Sequence, residues 1–150
     1  MALSTKITAS KATQQGFIGT LLGFHMRLAQ LRLFSAFSAA VADQTLTPLL
    51  AGALYLIAEN PGTNQTDLAA LLVTDPSTMV RLIDQLVKRG WVERKTLTRD
   101  RRNTVPQATA AGKAIVAKLA PLIRASEDTV AADLSEKERQ TLITLLRRLK

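Results

Sequence analysis

From Asp75 to Arg102 the chain carries residue types that hydrogen-bond phosphates and the edges of bases, at spacings that gather them on one side. Met79, Leu82, Ile83, Leu86 and Val87 recur at helical spacing and must face a core, which leaves Ser77, Thr78, Arg81, Asp84, Gln85 and Lys88 outside. The N-terminal half of that outer face is short, hydroxylic and basic. Small hydroxyl side chains let a helix backbone come close to phosphate and base edges, and Arg81 is long enough to reach a guanine edge. For such a helix in isolation, an ordinary solvated charged face is the competing explanation.

The residues that follow tilt the balance. Trp91-Val92-Glu93-Arg94-Lys95 reads as a strand with Trp91 or Val92 inward, and Asn103 to Ala108 can return beside it, with Thr96 to Arg102 as the tip. Lys95, Arg99, Arg101 and Arg102 therefore project on a loop close to the helix. Over Arg81 to Arg102 the cations are Arg81, Lys88, Arg89, Arg94, Lys95, Arg99, Arg101 and Arg102, against Asp84, Glu93 and Asp100. More than half of the net charge of +8 is concentrated there. Pro106 cannot donate to a strand ladder, so the returning strand is expected to be short, an edge, and loose.

These residues need a scaffold, and its punctuation is local. Asn64 can accept from the free amides of Gln65-Thr66-Asp67, with Asp67 complementing the positive helix end, and starts a short helix whose apolar side is Leu68, Ala69, Leu71 and Leu72. After the turn Val73-Thr74, Asp75-Pro76 opens the second helix with a capping carboxylate and a proline at the first helical position. Gly90 supplies its left-handed stop. Two short helices, a tight turn and a basic hairpin are the layout of a winged helix-turn-helix, mainly α with a small β wing.

The chain resembles the MarR family of bacterial transcriptional regulators. The resemblance lies in Leu46-Thr47-Pro48, Asn64-Gln65-Thr66-Asp67-Leu68-Ala69, Asp75-Pro76-Ser77-Thr78, Leu86-Val87-Lys88-Arg89-Gly90, Asp100-Arg101-Arg102 and Thr109-Ala110-Ala111-Gly112, in that order and spacing. It implies that Arg102 enters a minor groove with Asp100 bracing it. The candidate DNA-binding residues are then Asn64, Gln65, Thr66, Asp75, Ser77, Thr78, Arg81, Gln85, Lys88, Arg94, Lys95, Arg99, Asp100, Arg101 and Arg102. It also implies a pocket where dimer helices meet the reading module, taking a small aromatic carboxylate or phenolic effector, with Phe24, His25, Leu28 and Tyr55 as candidates by position.

The rest of the chain reads as helical arms. At 150 residues and 47% hydrophobic it can bury one core. Phe17, Leu21, Leu28, Leu31, Phe34, Phe37 and Val41 mark one helix from about Gln15 to Ala42, and Thr47-Pro48 caps another that Asn60-Pro61-Gly62 ends. A long helix from Thr109 carries Ile115, Leu119, Leu122, Ile123 and Val130 and is expected to bend at Pro121. Ser135 to Glu138 is a capping box opening a last helix with Leu142, Ile143, Leu145, Leu146 and Leu149. Residues 15–45 and 113–150 are thus expected to form dimerisation helices around a reading module at 46–112. A second copy of the chain is the simplest cover for their apolar side chains; packing only on each other is the alternative.

Other functions have little support in the residues. There is no cysteine and one histidine, which leaves no disulfide and no dedicated zinc site. No cofactor is implied. His25 has no glycine-rich elbow near a nucleophile, so an enzyme is not expected. The longest apolar run, Pro48 to Ala58, is too short to span a bilayer, and a cytoplasmic protein with a frayed tail over Met1 to Gln15 is expected. The leading expectation is a homodimeric repressor on a pseudo-palindromic duplex site; a winged helix that binds proteins, or an architectural DNA-binding module without an effector, remains the alternative.

Overall fold

Side-chain caps set most helix starts. The computed structural model describes residues 15–41, 43, 45–97 and 100–149, and the side chains of all of these except 97 and 100–103. The expected tail over Met1 to Gln15 lies outside them up to Gln15. Thr47 accepts from the amide of Leu50 at 3.2 Å and opens α2 (Pro48–Glu59). Asn64 accepts from the amide of Asp67 at 2.9 Å and donates to its carboxylate at 2.8 Å, opening α3 (Gln65–Leu71). Asp75 opens α4 (Pro76–Lys88), Thr109 opens α5 (Ala110–Val130), and Ser135 with Glu138 forms the reciprocal box at the start of α6 (Glu136–Leu146). α5 contains Pro121 without ending there; the proline is exposed, where water can serve the carbonyl it leaves unpaired.

The N-terminal arm departs from the single helix expected. A 3-10 turn at Gly16–Thr20 is followed by Leu21 in an extended conformation, and only then does α1 (Leu22–Ala40) begin. Gly16 sits at φ 50, and Thr20 donates its hydroxyl back to Phe17 O at 2.7 Å. A glycine-rich start favours no one backbone conformation, and a hydroxyl bonding its own turn competes with helix propagation.

One core collects α1, α3, α4, α5 and the base of the wing around α2, which is apolar almost all round and buries Leu50, Ala51, Ala53, Leu54 and Ile57. Against it pack Leu68 and Ala69 of α3, Met79, Leu82, Ile83 and Leu86 of α4, Phe37 at the end of α1, and Leu119 of α5. Leu71 was expected on the apolar side of α3, yet it is 55% exposed. Leu68, Ala69 and half-buried Leu72 already span a face of about 100° at helical spacing, and Leu71 falls beyond its edge.

The wing is β1 (Val92–Leu97) paired antiparallel with β2 (Asp100–Ala108), from Val92 opposite Ala108 to Thr96 opposite Thr104. Val92 is the inward residue, and Trp91 stands half-buried just before the strand. The short return strand expected from Pro106 is corrected: the ladder runs through it, opposite Arg94, and the irregularity comes later, between Thr96 and Leu97. The Thr109 amide donates to Trp91 O at 3.0 Å. Alternating from that bonded pair places Arg94 and Pro106 in a non-hydrogen-bonded pair, where the missing N–H would have pointed away from β1.

Val73, in the turn between α3 and α4, has φ 52 and is 92% exposed. A β-branched residue in the left-handed region crowds its own carbonyl and, at this exposure, loses no burial if truncated. Val73→Gly should raise the urea midpoint, by about 0.5–1 kcal/mol in stability once the greater freedom of glycine in the unfolded chain is subtracted. Val73→Ala, which keeps the Cβ, should gain much less; equal gains for both would show that the φ is not the cause.

Candidate nucleic-acid interface

The exposed end of α4 is organised by one carboxylate. Asp75 Oδ1 accepts from the Thr78 amide at 2.8 Å and the Ser77 hydroxyl at 2.5 Å, and Oδ2 accepts from the Thr78 hydroxyl at 2.6 Å. Arg81 Nη2 then donates to Thr78 Oγ1 at 2.9 Å. The Ser77 hydroxyl bond, followed by those from Thr78, holds the Asp75 carboxyl well below its usual range. The sequence marks these hydroxyls as small groups that let the backbone come close to phosphate and base edges. Both hydroxyls donate to Asp75, and Thr78 Oγ1 also accepts from Arg81, so what they offer outward without rotating is their remaining acceptor lone pairs, which suit the amino edges of bases better than phosphate oxygens. Arg81 is drawn over the same turn by its bond to Thr78.

Around this turn the other candidates fall on three elements. Asn64, Gln65 and Thr66 are exposed at the start of α3, with Asn64 engaged in its cap. Gln85 and Lys88 lie on the exposed side of α4, and Lys95 is exposed on β1. Arg94 reaches back from β1 to Asp84 of α4 at 2.9 Å, with both side chains partly exposed. Such a solvated pair adds little stability but ties the wing to the flank of α4. Asp100, Arg101 and Arg102 belong to β2. Arg99 lies outside the described residues, and the expected brace of Arg102 by Asp100 lies outside the described side chains.

Arg89 was counted in the basic cluster but not among the candidates. It is the C-cap of α4, and its guanidinium turns toward the connection between α1 and α2: Nη1 donates to Asp43 Oδ2 at 2.6 Å and Nη2 to Thr45 O at 3.3 Å. Asp43 also accepts from the Thr45 hydroxyl at 2.6 Å and the Thr45 amide at 2.9 Å. The Thr45 hydroxyl, followed by Arg89, lowers the Asp43 pKa from 3.8 to about 2. These partners lie more than forty residues apart in sequence, so no local pattern could have shown them.

The four effector candidates separate. Tyr55 lines a cavity of about 510 Å³ between α1, α2 and α5, and its hydroxyl donates to Val116 O at 2.9 Å. Phe24, His25 and Leu28 do not line it. Phe24 stands edge-on to His25 at 5.7 Å, and His25 Nε2 bonds Gly19 O at 2.7 Å, so this pair secures the junction with the 3-10 turn. The α1 residues at the cavity are Leu33, Phe34 and Phe37, and its charged lining is Arg124 and Glu127 of α5. A Phe pair at i and i+3 on α1 was the sequence signal available for it.

Apolar side chains remain exposed on both arms: Phe17, Ile18, Leu22, Leu31 and Phe34 near the N-terminus, and Leu142, Ile143, Leu145, Leu146 and Leu149 at and beyond α6. α6 buries none of its residues within the chain.

Comparison with known proteins agrees with this fold. The MarR family model matches residues 46–104. A protein of Thauera aromatica described as a transcriptional regulatory protein for the hcr operon is 36% identical over 129 residues, which cover 85% of this chain and 78% of that protein. The transcriptional repressor CouR bound to a 23-mer DNA duplex superposes with a TM-score of 0.83 at 33% identity, over 91% of this chain and 96% of that one. The structure of CouR bound to p-coumaroyl-CoA gives a TM-score of 0.79 at 31% identity, over 91% and 96%.

The depressed carboxylates give the Asp75 and Asp43 networks an acid limit. Asp43 has its folded pKa lowered, so its contribution is complete above the unfolded value of 3.8 and is lost as pH falls through about 2. Asp75 is lowered in the same direction, so the α4 cap should fail over the same descent. Amide exchange at Thr78 and the Nη signals of Arg89, followed by NMR during acid titration, should hold steady through the ordinary carboxylate range and change below it. Loss of either signal well above the ordinary carboxylate range would contradict these networks.

Proposed function

The chain belongs to the MarR family of transcriptional regulators, and we propose that it acts as a homodimeric repressor of a pseudo-palindromic DNA site, released by an aromatic effector. The observation that carries this reading is the pre-ordered basic turn of α4, Asp75 to Arg81, lying beside a wing that Arg94 ties to the same helix. Residues 46–112 would form the reading module, with α4 in the major groove and Arg102 of the wing in the minor groove. The arms at 15–45 and 113–150 would pair two copies, which supports the affinity that one short helix lacks by raising the effective concentration of the second. Among the described residues no helix is long and apolar enough to cross a membrane, and the proposed setting is the cytoplasm.

The effector site of this reading is the cavity between α1, α2 and α5. At about 510 Å³ it falls in the usual range for small-molecule sites. Phe34, Phe37 and Ile123 supply apolar walls for a ring, Tyr55 a phenol, and Arg124 a counter-charge for a carboxylate. CouR, solved with p-coumaroyl-CoA, supports a phenolic acyl group as one form of such an effector. Because the cavity touches both arms and α2, an occupant that prefers one arm geometry would shift the reading heads only through its differential affinity for the two states.

Selection from a random duplex library tests the DNA reading. The protein should recover an inverted repeat with half-sites about 10 base pairs apart, and its affinity should fall steeply with salt. Arg81→Ala should cost about 1–3 kcal/mol at one base pair and relax preference there alone. Arg102→Ala should remove a preference for A/T-rich flanks. Leu145→Glu should reduce the mass seen by light scattering from dimer to monomer and abolish tight binding. Recovery of no shared sequence would favour the architectural or protein-binding alternative.

Calorimetry tests the effector. p-Coumarate and p-coumaroyl-CoA should bind the free protein more tightly than the operator complex, and Arg124→Leu should weaken the free acid more than a neutral phenol of the same size. Equal affinity for free and operator-bound protein would exclude release by that ligand.

A further inference from the structure

Among the described side chains of the basic cluster, Arg89 is turned toward the connection between α1 and α2 and fixed on three sides. One terminal nitrogen meets the Asp43 carboxylate at 2.6 Å, the other meets the backbone oxygen and hydroxyl of Thr45, and the guanidinium carbon lies 4.9 Å from the Trp91 ring centroid. Its side chain is only 23% exposed. Asp43 is held in turn by the amide and hydroxyl of Thr45. A planar fork stacked on an indole and filled on both terminal nitrogens is a demand that lysine, a single rotating point charge, cannot meet.

The position of this clasp matters more than its strength. Asp43 and Thr45 lie between α1 and α2, so the clasp joins the end of the N-terminal arm to the C-terminal end of α4. Trp91 directly precedes β1, which brings the base of the wing into the same contact. Partly exposed ion pairs add little to global stability. A directional, bidentate contact at the far end of α4 from Ser77 and Arg81 instead restricts how that helix can pivot on the apolar core, whose contacts have no preferred direction.

The geometry points to Arg89 as a positioning residue that sets half-site spacing: through Asp43, Thr45 and Trp91 it fixes the angle of the reading helix and wing against the arm. This rests on the homodimeric reading, since the angle of each α4 against the arms determines the separation of the two reading helices. A residue acting this way should leave the preferred half-site sequence and the count of neutralised phosphates untouched.

The test is a selection with the full chain on duplexes carrying two half-sites, with the distance between them varied in single base-pair steps, at several salt concentrations. The unmodified protein should prefer one spacing. Arg89→Gln and Asp43→Asn should each select the same half-site with the same salt slope, while preference for the best spacing over its neighbours falls about five-fold. Arg89→Lys should behave like Arg89→Gln. Should Arg89→Gln fail to fold, the partly exposed Asp43→Asn decides the matter. Unchanged spacing preference in the variants overturns the proposal. A salt slope reduced by about one in Arg89→Gln and restored by lysine makes Arg89 a phosphate contact and overturns it too. If the unmodified protein shows no spacing preference, the homodimeric reading fails and the spacing role fails with it.

Discussion

The pose of the reading head depends on a close approach of two backbones. A Cβ at Gly112 would sit 2.0 Å from Trp91 O, so only glycine lets the first turn of α5 lie against the end of the reading unit. Thr109 seals the approach from both directions: its amide donates to Trp91 O at 3.0 Å, its hydroxyl donates to Gly90 O at 2.7 Å, and that hydroxyl accepts from the Gly112 amide at 3.0 Å. The stop of α4, the base of the wing and the start of the long arm are thereby one junction. Gly90, at φ 71, makes the turn that brings Trp91 there. With the junction set, the direction of the hairpin beside α4 follows from the ladder register.

That junction lets a small core serve a large surface. α4 spends Met79, Leu82, Ile83 and Leu86 on the core and keeps its other side for polar groups. Asp75 is then able to do two things with one carboxylate, satisfying an amide of the first turn and ordering the hydroxyls that stand at its tip. Order obtained this way is sensitive to the ionisation of a single group, yet it requires no buried residue. The arms show the opposite arrangement, with apolar side chains exposed along α1 and α6 where the core cannot reach.

The legibility of these features follows how local their causes are. The starts at Thr47, Asn64, Asp75, Thr109 and Ser135 are set by residues within three positions, and the sequence reading placed each of them. The break at Leu21 was not foreseen, because an apolar pattern survives across glycines that weaken the helix beneath it. Pro106 misled for a different reason: whether its missing N–H matters depends on ladder parity, a property of the pairing and not of either strand. The cavity meets α1 at Leu33, Phe34 and Phe37, a turn or more beyond Phe24, His25 and Leu28, because which side of α1 faces α2 and α5 is set by packing between distant elements and not by spacing along α1. The partners of Arg89 were beyond any local reading.

The cavity and the clasp meet at the connection between α1 and α2. Phe37 and Pro48, both at the cavity, bracket the stretch that carries Asp43 and Thr45. The same connection therefore carries one wall of the cavity and the residues that hold Arg89 at the end of α4. Tyr55 ties α2 to α5 by its bond to Val116 O, so α2 cannot follow α1 freely without disturbing the long arm. Of the contacts that hold α4, the clasp is partly exposed and polar, whereas its packing against α2 is buried and apolar. Under the proposed reading, a change at the cavity would reach the end of α4 through the polar clasp, whose bonds water can replace, before the buried apolar packing gives way.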